Sequence, residues 1–394
     1  MRESENGGWK KVMCADIVII GGGPVGLWTA IQLKKRDPAL DIRIYERYET
    51  YRRSHVLKLE RQALSLYSKK RYDWPEAKFL LSVTGKNPAE MMLPSLKRES
   101  VYLRTNDLED ALKTYAHDLG LNIVYDKISS PQEAERRHPE CKNFIAADGA
   151  HSAMRTALIG GNAVKSYPLQ HIVEIKYEVE GKTAPLTTAE NFRINKQLDG
   201  MVFEYVGREK NGKTPVTLRF FIDENTYRAL PDAGFKNPLG LDDPRLPENL
   251  AQDIEAYMAE RSNITKERPC RDSAKIGKLV LSLYRARKFA VKHGNKSWFL
   301  AGDAAMGVPY FRSLNAGMII SSQLGYILTR KHLPDAGKRA AYNAVQPLDT
   351  AWEFTAAHGK NTGLNLYDGF RKASAKMTPK SQKKPARNPK KPKF

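Results

Sequence analysis

The run Asp16-Ile17-Val18-Ile19-Ile20 is β-branched and does not alternate with polar residues, the pattern of a strand buried on both faces. It stops at a cluster of glycines. Apolar positions then recur at helical spacing, which predicts a helix over 24–35 and a second strand over 41–46. Further on, the pattern predicts a helix over 59–71, a helix capped by Asn106 or Asp107 and running to about 119, and strands over 121–125 and 143–147. From about His171 the texture changes. The stretches 172–179, 201–206 and 217–222 are rich in β-branched and aromatic residues, with Gly-Lys and Asn-Gly turn signals between them. A Pro-rich loop at 237–247 precedes an amphipathic helix at 250–261. A buried strand returns at 297–301, and 314–358 reads as mostly helical.

Strand, helix and strand, then a sheet-rich insert, then a return to strand and helix is the order of an α/β chain. It implies a doubly wound, Rossmann-like nucleotide-binding domain interrupted by a β-rich substrate domain and followed by C-terminal helices. The expected division is 10–170 with 275–330 for the first domain and 171–274 for the second. A helical segment at 331–370 and a basic tail at 371–394 complete it. Pro379, Pro385, Pro389 and Pro392 lie among the lysines of that tail, which is expected to be disordered.

A length of 394 residues supports two or three domains, and 41% apolar residues exclude collagen-like and wholly disordered classes. Cys14, Cys141 and Cys270 are too few and too scattered for a disulfide framework or a zinc site, which suits a reducing, cytoplasmic setting. No apolar run is long enough to span a membrane. Lys10-Lys11 and the apolar residues after them superficially look like a secretory leader, but Asp16 interrupts the run and no cleavage site follows. Sixty-five Lys and Arg against 44 Asp and Glu leave +21, and 371–394 holds ten Lys and Arg and no acid. Such a surplus fits a polyanion or an acidic protein face as a partner, or a solvated basic surface.

Three motifs carry chemistry. Gly21-Gly22-Gly23-Pro24-Val25-Gly26 is a G-x-G-x-x-G sequence between a predicted strand and a predicted helix. Gly21 permits the tight turn, Gly23 lets a pyrophosphate approach the backbone, and Gly26 lets helix pack on strand. The helix N-terminus favours the phosphate charge. Glu46, 20 residues after Gly26, stands where a carboxylate accepts ribose hydroxyls. The second motif is Asp148-Gly149-Ala150-His151-Ser152 with Arg155 after it. The third is Gly302-Asp303-Ala304-Ala305, with Pro309 and the helix start Asn315-Ala316-Gly317 following. No metal-ligand spacing and no nucleophile triad is present.

Together these motifs resemble the flavin-dependent (group A) monooxygenases of the para-hydroxybenzoate hydroxylase type, over roughly 16–155 and 297–328. The resemblance implies FAD, with NADPH or NADH as co-substrate. Gly21, Gly23, Gly26 and Glu46 would hold the ADP half, and Asp148 and Gly149 match a motif tied to FAD and NAD(P)H. Asp303 matches an aspartate at the ribitol or ribose, and Arg104 an arginine facing the cofactor. Pro24, Arg47, Arg53, Gly302, Pro309, Asn315, Ala316 and Gly317 complete the candidate cofactor set. Arg52 shares the pyrophosphate or flavin role proposed for Arg53, while His55 and His151 lie near cofactor motifs as positional or surface residues. Residues 23–31 and 53–59 are similar to the MICAL monooxygenase domain, whereas 309–317 is similar to kynurenine monooxygenase.

Arg312 and Ser313 stand where that family has glycines beside the isoalloxazine, and the β-meander usual before Asp148 is cut short. Arg312 and Asn315 are therefore the flavin-proximal catalytic candidates, Arg312 as a full positive charge. Tyr310 and Phe311 either line a substrate pocket or fill the turn. The reaction implied is insertion of one oxygen atom from O2 by way of a flavin C4a-hydroperoxide, on a protein side chain or on a small aromatic substrate. A reading of another class is an FAD-retaining binding or scaffold protein with a polyanion-binding tail.

Overall fold

The computed structural model describes residues 15–50, 56–64, 77–84, 100–234, 236–309 and 312–377. Cys14, Arg52, Arg53, His55, Tyr310, Phe311 and the tail from 378 lie outside them. The first strand, β1 (Ile17–Ile20), is buried at all four positions. It leads through the glycine turn into α1 (Pro24–Arg36), whose last turn places Lys34, Lys35 and Arg36 at the negative end of the helix dipole. Next come β2 (Ile42–Glu46), β3 (Val56–Glu60), a 3-10 turn at Arg61–Leu64, α2 (Ala77–Thr84), β4 (Ser100–Arg104) and α3 (Thr105–Asp118). After them lie β5 (Asn122–Tyr125), α4 (Pro131–Arg137), β6 (Asn143–Ala146) and α5 (Ala153–Ile159).

The chain continues through β7 (Val164–Glu180), α6 (Thr188–Asn195), β8 (Met201–Val206), β9 (Lys213–Ile222), α7 (Glu224–Ala229), α8 (Glu248–Thr265) and β10 (Pro269–Ala286). It closes with β11 (Ala290–His293), β12 (Lys296–Leu300), β13 (Met306–Gly307), α9 (Arg312–Leu328) and α10 (Asp335–Met377).

Two compact units result. One takes the chain up to Leu169 together with Leu281–Ala357, and the other takes Gln170–Val280 and the chain from His358. In the first, a six-stranded sheet has the order β11-β12-β6-β1-β2-β5. Its strands are parallel except β11, which pairs antiparallel with β12. Central β1 pairs with β2 on one side and β6 on the other, which explains its unbroken apolar run. Trp28, Leu27 and Ile31 of α1 are wholly buried in the core of this unit.

In the second unit β9 pairs antiparallel with both β7 and β8, and α8 contributes Leu250, Ile254 and Tyr257 to a core with Val173, Ile175, Leu218 and Phe220. Among the described residues, no helix is long and apolar enough to cross a membrane.

Several expectations need correction. The helix expected over 59–71 begins instead as the end of β3, which pairs with β4 from Val56↔Arg104 to Glu60↔Ser100. Strand pairing there overrides a locally helical pattern. Arg104 caps α3, through its backbone alone, in place of Asn106 or Asp107. The tail expected to be loose from 371 is helical as far as Met377. Arg371 explains this: its side chain is buried and donates to the carbonyls of Asn195, Leu198 and Asp199. The segment expected to be helical at 331–370 falls largely within α10 (Asp335–Met377).

Candidate functional site

The glycine loop holds three close approaches that a β-carbon would block, at Gly21, at Gly22 (2.8 Å from Glu46 Cβ) and at Gly26. Gly21 has φ +108°, and a β-carbon there would stand 2.3 Å from the carbonyl oxygen of Ala147. At Gly26 a β-carbon would lie 1.9 Å from the oxygen of Gly21, so helix and turn could not close on each other. Gly23 differs. A β-carbon there would have no atom of the described residues within 4 Å, although its φ of −70° would accept any residue. Gly23 is the N-cap of α1 and supplies no side-chain cap, no described side chain bonds the first-turn N–H groups, and Pro24 occupies a position that needs no N–H. A glycine kept against open space at an uncapped helix N-terminus fits a phosphate group.

Glu46 ends β2 and closes over this loop. Its Oε2 accepts the Gly22 N–H at 2.7 Å, and Oε1 accepts the Tyr48 N–H at 3.0 Å. A carboxylate offers about four lone-pair sites, so capacity for hydroxyl donors remains. Arg47 is exposed, with its guanidinium over the Tyr48 ring.

The third motif meets the first at Val25. Gly302 has φ +59°, and a β-carbon on it would be 2.9 Å from Val25 Cγ1. On Gly317 it would be 3.0 Å from Val25 Cγ2 and 3.2 Å from the Gly302 Cα. Val25 thus fills a slot formed by two glycines some 280 and 290 residues away in sequence. Further along the same helix pair, the Thr29 hydroxyl donates to Ser321 Oγ at 2.8 Å. Ala316 is buried beside this seam.

The second motif is tied to the third by Arg155. Asp148 accepts the Ser152 hydroxyl at 2.5 Å and the Met154 N–H at 3.2 Å, and Ser152 in turn caps α5. Arg155, 6% exposed, donates to Ala150 O at 2.7 Å, Ala304 O at 3.0 Å and Asp303 O at 3.3 Å. One guanidinium therefore bonds carbonyls from both motifs. Gly149 has φ +86°, which glycine adopts without strain.

The flavin-proximal candidates are otherwise engaged. Arg312 forms a bidentate pair with Glu353, at 2.6 and 2.9 Å, so its charge is compensated and does not stand free as expected. Ser313 donates its hydroxyl to the Asp303 carboxylate. Asn315, 4% exposed, accepts the Glu60 N–H and donates to Lys58 O, each at 2.8 Å. Its amide pins β3 to α9 in the manner of a strand neighbour. Arg104 is half-buried at the end of β4, and Pro309 is the last described residue before Arg312.

Two residues escaped the sequence reading. Glu109 lies on the buried face of α3 with Leu108 and Leu112, and its side chain is 1% exposed. Burial pushes its carboxyl up to about 7, opposed by Lys113 at 2.8 Å and reinforced by the charge of Glu46. The i,i+4 spacing of Glu109 and Lys113 inside an apolar stripe was the available signal. Val25 carried no signal at all. Cys141 is buried, and burial pushes its thiol up to about 11, so it is inert. Among the described residues, no group of three or more His, Cys, Asp or Glu could hold a metal ion.

The chain matches no protein-family model and no curated protein by sequence. It does share its fold with solved structures. A Diels-Alderase from pyrroindomycin biosynthesis superposes with a TM-score of 0.60 at 16% identity, over 92% of this chain and 78% of the other. For 2-methyl-3-hydroxypyridine-5-carboxylic acid oxygenase the values are 0.55 and 15%, over 92% and 96%. An aromatic hydroxylase from angucycline biosynthesis gives 0.55 and 15%, over 92% and 75%.

Proposed function

We propose that the chain is an FAD-dependent, NAD(P)H-consuming monooxygenase acting on a small aromatic substrate. The observation that carries this reading is the joining of three distant motifs, the first to the third through Val25 and the second to the third through Arg155, beside the N-terminus of α1, where Gly23 offers no side-chain cap. The likeness in fold to an oxygenase and an aromatic hydroxylase supports the choice of reaction.

In this reading the uncapped start of α1, with Gly21, Gly23, Pro24 and Gly26, holds the pyrophosphate through backbone N–H groups and the helix dipole. Glu46 accepts ribose hydroxyls with the lone pairs that Gly22 and Tyr48 leave. Asp303 is oriented toward the cofactor by the Ser313 hydroxyl, and Asp148 holds the start of α5 in register. Arg155 fixes the distance between these two turns. Asn315 keeps α9 and β3 together, so the N-terminus of α9 and its helix dipole point in a fixed direction. Arg312, neutralised by Glu353, orders that N-terminus and adds no net charge. FAD supplies the redox chemistry when bound, accepting a hydride from NAD(P)H and activating O2. The protein's part is to bind, to orient and to exclude water.

The test is NADPH and NADH oxidation by FAD-loaded protein with a panel of hydroxylated aromatic acids. Faster oxidation together with a one-oxygen mass gain on the aromatic compound supports the reading. A one-oxygen gain on a polypeptide instead would favour the MICAL-like alternative, which the residues at 53–59 and the +21 charge support. The fold-mate named a Diels-Alderase favours a third outcome, an FAD-holding protein that does not oxygenate, because fold does not dictate chemistry. In that case NAD(P)H leaves the flavin unbleached.

A further inference from the structure

The turn that carries Asp303 is held from two sides. Arg155 reaches it from α5, as described. From the other side comes Tyr284 of β10, whose hydroxyl donates to Asp303 O at 2.8 Å. The route of that side chain is unusual. Tyr284 is paired directly with Gly307 across the β10–β13 ladder. A β-carbon on Gly307 would lie 2.0 Å from Tyr284 Cε1 and 2.5 Å from Cζ. The ring thus lies flat over the glycine, and it can reach Asp303 only because residue 307 has no side chain. The Arg155 guanidinium lies 5.7 Å from the centre of the same ring, within the range of a cation–π contact.

Asp303 O therefore receives two donors, Tyr284 Oη and Arg155 Nη1, while the Asp303 carboxylate receives Ser313. The 3-10 turn Gly302–Ala304 is three residues long and has few bonds of its own, chiefly the Ala305 N–H to Gly302 O at 2.9 Å. A turn so short takes its orientation from what grips it.

We propose that Tyr284 is a positioning residue of the cofactor site, and that Gly307 is the partner that lets it act. Tyr284 fixes the orientation of Asp303 toward the cofactor. The inference rests on reading this site as the FAD site. The effect passes through Asp303.

The experiment measures FAD affinity of the full chain by quenching of flavin fluorescence, together with amide exchange of the apoprotein at Ala305. Tyr284→Phe removes one hydrogen bond and keeps the ring. It is expected to weaken FAD binding about five- to tenfold and to raise exchange at Ala305, with the unfolding midpoint nearly unchanged. In an Asp303→Asn background the same substitution is expected to change affinity less than twofold. Gly307→Ala is expected to act like loss of the tyrosine, and to add nothing to Tyr284→Ala. Equal effects of Tyr284→Phe with and without Asp303 would overturn the proposal, as would an unchanged affinity in Tyr284→Phe. If the wild type takes up no FAD, the reading of the site fails instead. Exchange at Ala305 then decides separately, since unaltered exchange in Tyr284→Phe overturns the claim that Tyr284 holds the turn.

Discussion

Val25 and Gly302 touch so closely that a β-carbon on the glycine would stand 2.9 Å from Val25 Cγ1. This contact joins the start of the chain's first crossover helix to a turn that arrives only after the stretch Gln170–Val280 of the second unit. Enlarging the glycine must push the two motifs apart. Gly302→Ala is strained twice, by its φ of +59° and by Val25, and is expected to destabilise the first unit by about 2–3 kcal/mol. Urea unfolding of the purified variant measures this.

Gly23 and Gly26 separate ligand space from packing space. Gly26→Ala must displace backbone and is expected to lower stability by about 3 kcal/mol or more. Gly23→Ala meets nothing, so the apoprotein is expected to unfold within about 1 kcal/mol of wild type. Its FAD affinity is nevertheless expected to fall at least tenfold. Thermal unfolding without ligand and an FAD titration, run on both variants, check the pair.

Much of this site was legible in the chain because it rests on short-range rules. The unbroken run Ile17–Ile20, the glycines after it and Glu46 at the end of the next strand each have a local meaning, and together they specify β1-α1-β2. What stayed hidden depends on distant partners. Glu353 lies 41 residues from Arg312, and nothing in either neighbourhood announces the pair that cancels the expected free charge. Asn315 was singled out by the resemblance of its stretch, while its backbone partners at Lys58 and Glu60 belong to a strand whose end, Leu59-Glu60, the pattern assigned to a helix. β10 went unseen because Arg271, Asp272, Lys275 and Lys278 break its alternation. The helix α4 did carry a signal that was passed over, Ser130 before Pro131 with Glu133 after it, and Ser130 does accept the Glu133 N–H.

Glu109 gives the protein a pH dependence of definite sign. Burial raises its carboxyl to about 7 in the folded chain, against 4.5 when exposed. The folded state then holds a proton that the unfolded state has released, so this contribution is complete below about pH 4.5 and fades as pH rises through 7. The full effect is about 3 kcal/mol. Glu109→Gln keeps the neutral form at every pH. Its urea midpoint is expected to be flatter between pH 5 and pH 8 than that of wild type.

In the second unit, Arg261 is wholly buried between Glu204, at 2.6 Å, and Glu267, and it also donates to Ala184 O at 3.0 Å. Arg261→Met would leave two buried carboxylates without their cation, and is expected to lower stability by about 3–5 kcal/mol. Arg261→Lys rescues little, since a single ammonium cannot reproduce the fork that binds both. Denaturant unfolding followed by far-ultraviolet circular dichroism distinguishes the two variants.

The most direct measurement is a titration of the purified chain with FAD, followed by addition of NADPH. The predicted result is saturation at one FAD per chain, with the two visible bands of oxidised flavin, which bleach under NADPH and return in air. Protein that is folded yet takes up no FAD at any concentration would contradict the claim that the glycine turn, Glu46 and Asp303 together form a flavin site.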